Sequence, residues 1–143
     1  MAELARKLGV KPGYSVALLD APAASAAIVR ASLPEGVAVD VALVAERYDV
    51  ILIWPVSLEG LSERFAALVH RITPAGAIWV VIPKKPFAAA RGIAFSWAEM
   101  QAAGLRTDLV DNKECSVTLE EYATRFVIRK QHRHRYGEQN QYG

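Results

Sequence analysis

Cysteine is almost absent: Cys115 is the single one in 143 residues, which excludes an internal disulfide and any multi-cysteine metal site. Histidine is scarce too, three in all. Only His132 and His134 stand near each other, too few imidazoles for a zinc site. No Walker loop, HExxH motif, Ser-His-Asp order or glycine-rich dinucleotide fingerprint occurs. Long apolar runs are also missing. The richest, Val50–Val56 and Ala75–Pro83, fall far short of the roughly 20 residues that span a bilayer. Met1–Val10 carries Glu3, Arg6 and Lys7 and lacks the apolar core of a signal peptide. These absences predict a cytoplasmic protein with no metal and no membrane partner.

What is present is a core-forming chain, 52% hydrophobic and 22% charged. At this length one domain closes and buries roughly 70% of its unfolded surface. The net charge of +2 is concentrated at Arg129, Lys130, Arg133 and Arg135 against Glu138, so the body before them is near neutral. Residues 1–130 therefore read as one domain. Residues 131–143 read as a basic His/Arg-containing tail, flexible or an appended remnant.

Along the body, Leu4 and Leu8 lie one turn apart before Gly9, a short helix with a glycine cap. Tyr14–Leu19 is an apolar run of the kind buried on both faces of a sheet. Ala21–Leu33 predicts a helix with Pro22 in its first turn and an end at Pro34-Glu35-Gly36. Val37–Val44 and Tyr48–Trp54 are strands, and Ser57 opens a helix with Leu61, Phe65, Leu68, Val69 and Ile72 on one face. Thr73-Pro74-Ala75-Gly76 reads as a turn into the strand Ala77–Ile82. Ser96 with Glu99 is a capping box. Leu105–Thr118 and Ala123–Arg129 are separated by a short turn and so must pair antiparallel. Right-handed crossovers make the earlier strands parallel, giving a three-layer α/β domain.

This layout resembles the class I S-adenosylmethionine (SAM)-dependent methyltransferases, through Tyr48-Asp49-Val50-Ile51-Leu52, the helix from Ser57, and Thr73-Pro74-Ala75-Gly76-Ala77 leading into a strand. More closely, the chain resembles an uncharacterised bacterial domain-of-unknown-function family of shortened, Rossmann-like proteins of this type. The marks are Leu8-Gly9-Val10-Lys11-Pro12-Gly13, Val16-Ala17-Leu18-Leu19, Pro83-Lys84-Lys85, Leu109-Val110-Asp111-Asn112-Lys113 with Cys115, and Arg125-Phe126-Val127. The resemblance implies a mostly parallel sheet with a C-terminal antiparallel hairpin, and carries no activity with it. Two departures stand out. Asp20, Pro22 and Ala24 occupy positions where glycines let backbone approach a cofactor. The interval between Val44 and Tyr48 leaves no room for the middle strand and helix of a full methyltransferase. Phe87–Phe95 and Glu120-Glu121-Tyr122-Ala123 diverge from the smaller family.

In open parallel sheets ligands gather beyond the C-terminal strand ends, which selects Asp20, Trp54, Lys84 and Lys85. The two lysines, stiffened by Pro83 and Pro86, either hold an anion or form a solvated turn. Asp20 either caps the following helix or contacts a ligand. Asp111 and Lys113 read as an edge-strand ion pair, Cys115 as a small core residue, and His70 as a complement to a helix end. The leading expectation is a non-catalytic methyltransferase-like domain that binds a protein partner or a small anionic ligand, with no cofactor and SAM disfavoured. The alternatives are an enzyme with an atypical SAM or nucleotide pocket, and nucleic-acid binding through the basic tail. A tryptophan exposed at the hairpin edge would indicate a homodimer.

Overall fold

The computed structural model describes residues 2–137. Helix α1 (Ala2–Leu8) leads into β1 (Ser15–Leu19), α2 (Ala23–Ser32), β2 (Ala38–Asp40) and β3 (Tyr48–Ile53). There follow α3 (Leu58–Leu68), β4 (Ile72–Pro83), the single-turn α4 (Lys85–Ala88), α5 (Trp97–Leu105), and the hairpin β5 (Leu109–Ser116) and β6 (Glu121–Ile128). The six strands lie in the order β2-β1-β3-β4-β6-β5. The first four are parallel, and β6 and β5 add an antiparallel edge.

Strand alternation sorts the apolar residues into two cores. Ala17, Leu19, Ile51, Ile53, Ile78, Val80, Phe126 and Ile128 face α3 and α5. Val16, Leu18, Val50, Leu52, Trp54, Trp79, Val81 and Ala123 face α1 and α2. Such runs are apolar throughout because both faces are covered. On the first side Phe65 of α3 meets Phe126 edge-on, with centroids 4.9 Å apart. Gly104 lets α5 lie directly on that ring, since a Cβ there would stand 2.3 Å from Phe126 Cε1. On the second side the indole of Trp79 donates to the Leu8 carbonyl at 2.9 Å and fastens α1 to the centre of the sheet.

Local signals explain the element ends. Gly9 adopts φ +74° and stops α1. The Ser57 hydroxyl accepts from the Gly60 amide and starts α3, and Ser96 with Glu99 forms the expected capping box of α5. Three expectations change. The second strand is only Ala38–Asp40, because the chain turns back at once to begin β3, with no intervening strand or helix. Thr73-Pro74-Ala75-Gly76 lies inside β4. Tyr48 pairs with Ile72 and Val50 with Ala77, so the extra residues form a bulge. The first residues of the expected tail, 131–136, belong to a 3-10 helix, Lys130–Tyr136, with Tyr136 buried. Its phenol donates to Asp108 at 2.5 Å, and Arg135 adds a 3.2 Å ion pair to the same carboxylate. His70, beyond the end of α3, packs against Tyr136 with ring centroids 5.2 Å apart and planes tilted by 47°.

No described helix is long and apolar enough to cross a membrane. Trp54 and Trp79 are buried and Trp97 is half-buried, so none is exposed at the hairpin edge.

Candidate functional site

The C-terminal ends of β1, β3 and β4 carry the candidate residues, but not in one hollow. Asp20 and Trp54 line a cavity of about 390 Å³ with Pro55, Ser57 and Arg64. Lys84 and Lys85 line a separate groove of about 520 Å³ against Ile82, Phe95, Trp97 and Tyr122. No residue lines both.

Asp20, directly after β1, has φ +60°, the only described non-glycine residue in the left-handed region, where Asp tolerates the strain better than most. It does not cap α2. Pro22 holds the cap position without any side-chain bond, and the Asp20 carboxylate instead pairs with Arg64 of α3 at 2.6 Å. Both partners are well exposed, so this pair contributes at most about 1 kcal/mol.

A residue that the sequence did not mark, Glu121 at the start of β6, lines a third cavity of about 390 Å³ with Ser25, Arg91 and Thr118. It is 1% exposed and gathers donors from four segments. The Ser25 hydroxyl of α2 reaches it at 2.8 Å, the Trp54 indole at 3.1 Å, Arg91 at 2.9 Å and the Thr118 hydroxyl at 3.3 Å. A buried carboxylate persists only when so partnered. Trp54 is thus 4% exposed and committed to the molecule's own carboxylate. The only sequence signal was the divergence at Glu120-Glu121-Tyr122-Ala123; the partners lie too far away in the chain to be inferred.

Lys84 is half-buried and Lys85 exposed, and neither shows an acidic partner among the described residues. Pro86 lies in the first turn of α4, and the Lys84 amide donates to the Glu120 carbonyl at 2.7 Å. Opposite them the Trp97 indole donates to Thr124 at 2.9 Å. Burial, with a lesser contribution from Glu114, raises the Tyr122 phenol above its ordinary range.

Other candidates resolve structurally. The carboxylate of Asp111 accepts from Gln101 at 3.1 Å rather than pairing with Lys113, because a bulge between them breaks the register. Cys115 is half-buried on the edge strand and packs against the second core. Burial raises its thiol pKa, opposed by Lys7 and Lys113. Among the described residues no group of three or more His, Cys, Asp or Glu could hold a metal.

The architecture is the α/β fold of the class I SAM-dependent methyltransferases, shortened by the middle unit. Magnesium protoporphyrin IX methyltransferase from Synechocystis PCC 6803, with bound SAH, superposes with a TM-score of 0.62 at 11% identity, over 90% of this chain and 80% of that one. The TehB-like SAM-dependent methyltransferase from Corynebacterium glutamicum gives 0.52 at 12%, over 90% and 86%. The pyocyanin biosynthetic protein PhzM gives 0.59 at 12% over 90% of this chain; the chain spans about half of its length, 54%. At such identities the likeness is one of fold. No family model matches the sequence, so the closer resemblance to a shortened bacterial family gains no model to confirm it. No curated protein is similar to it.

Since neighbours are SAM-dependent, SAM binding accords with the fold, and the expectation of no cofactor has no support from them. The seat differs from a nucleotide cradle in the loop after β1, while β2 ends on an acidic residue as such folds do. The loop after β1 has no glycine, and Pro22 lacks an amide to offer. The acidic residue ending β2, where such folds hold a ribose, is Asp40, and it accepts from the Tyr48 phenol at 2.6 Å. Beside these strand ends Ser25 and Trp54 both donate to Glu121. The loop after β1 does not fit the cofactor in its ordinary seat.

Proposed function

We propose that this is a methyltransferase-fold domain that works by binding and not by methyl transfer, its ligand being a small anionic molecule. The observation that carries the reading is the Glu121 network: the strand ends that would receive a cofactor are bonded to one another through a buried carboxylate. The unpartnered Lys84 and Lys85 supply positive charge beside a separate hollow, which favours an anion.

Calorimetric titration with SAM and with SAH tests this. We expect no binding tighter than about 10 μM, which corresponds to about 7 kcal/mol. Tighter binding would establish the second reading, an enzyme with an atypical SAM pocket. That reading draws on the left-handed backbone of Asp20, since strain of this kind gathers at functional sites.

A further inference from the structure

We propose that the groove between the Pro83–Ala88 segment, β6 and the first turn of α5 is the binding site for an amphipathic organic anion. Its acidic head would lie at Lys84 and Lys85, and its flat apolar body against Trp97, Tyr122 and Phe95. The inference deepens the reading of the domain as an anion binder and rests on it.

The groove's volume, about 520 Å³, falls within the range of small-molecule sites, roughly 300–1,000 Å³. Its walls are aromatic and aliphatic: Ile82 closes the floor from β4, Tyr122 comes from β6, and Phe95 and Trp97 flank the start of α5. The indole is held by its bond to Thr124, so the ring face is positioned before any ligand arrives. Among the described residues that line it, only Lys84 and Lys85, neighbours in the chain, are charged. Lys84 and Lys85 have no carboxylate to neutralise them among the described residues, and the adjoining prolines limit their backbone. An apolar body with one charged terminus satisfies both ends. A neutral apolar molecule leaves the lysines without compensation, and a small inorganic anion leaves the aromatic walls wet.

The probes are 1-anilinonaphthalene-8-sulfonate and the neutral N-phenyl-1-naphthylamine, titrated by fluorescence into the whole chain. The anionic dye is expected to bind at least 10-fold more tightly than the neutral one. Lys84→Gln with Lys85→Gln should weaken the anionic dye at least 5-fold and leave the neutral dye within 2-fold. Ala88→Trp, at a residue lining the groove, should weaken both. Equal affinity for the two dyes, or anionic binding unchanged in either variant, overturns the proposal. The SAM titration reads a different hollow: tight SAM binding would defeat the non-catalytic reading while the dye results still judged the groove.

Discussion

Two carboxylates, at opposite ends of the sheet, show how differently the same chemistry is used. Glu121 lies at the end where the parallel strands finish and joins α2, β3, the Arg91 turn and the hairpin. Asp108 lies at the end where they begin, just before β5, and fastens one short segment through Tyr136, Arg135 and a 3.7 Å approach of His132. The first is almost wholly buried and accepts from four side chains. The second is partly solvated, and the phenol of Tyr136, ahead of the charges of Arg135 and His132, holds its carboxyl below the ordinary range. Removing a carboxylate at the first end exposes a defect shared by four segments, whereas at the second end it releases one.

The largest expected effect follows from breaking the buried end. Glu121→Ala leaves the buried Trp54 indole and Ser25 hydroxyl without their acceptor and should cost about 3 kcal/mol in urea unfolding. Glu121→Gln, keeping an acceptor oxygen, should cost less. A loss below about 1 kcal/mol for the alanine variant would erase the distinction between the ends. At the other end, Tyr136→Phe removes a bond to a charged group and should cost about 1.5 kcal/mol.

The pH dependence sharpens the contrast. The depressed Asp108 pKa stabilises the fold above its unfolded value near 3.8 and is lost as pH falls through the lower folded value. The Tyr136 phenol is pushed up to about 12, first by burial and then by Asp108. Its contribution is complete below about 10 and is lost as pH rises through 12. Urea midpoints should therefore fall at both extremes, and Tyr136→Phe should reduce both falls, Tyr122 sustaining part of the alkaline one. A wild-type acid limb unaltered in the variant would show that the phenol does not hold Asp108. The smallest effect is expected at the exposed pair. Asp20→Gly relieves the left-handed backbone but loses Arg64, so stability should move by less than about 1 kcal/mol. A larger loss would place a structural role at that end too.

The fold was largely legible because its signals are local. Apolar runs marked β1, β3 and the core of β4, and Ser96 and Glu99 stand three residues apart, so their mutual capping could be read directly. Thr73-Pro74-Ala75-Gly76 misled because the same residue types suit a turn and a bulge, and only the pairing of β4 with β3 distinguishes them. Pro22 likewise revealed where α2 begins, but not that Asp20 would turn away to Arg64. The site was less legible for the same reason. Asp20 and Trp54 line one hollow, whereas Lys84 and Lys85 open into another. Glu121 escaped because three of its partners are 96, 67 and 30 residues away. The basic segment after Ile128 looked like a solvated tail because Asp108, which pairs with Arg135 and Tyr136, is more than 20 residues upstream.

The bulge in β5 has a consequence for how the molecule behaves in a crowded solution. An eight-residue strand at the rim of a sheet is a template on which foreign or misfolded chains can add. Here the ladder slips between Asp111 and Lys113, and the exposed Asn112, Lys113 and Glu114 sit at that interruption. An incoming strand would meet a broken row of amides and unlike charges in place of a flat apolar edge. The opposite rim, β2, is only three residues long. Both margins are therefore poor seeds for fibril growth, and a chain with a strongly apolar interior keeps its strands to itself.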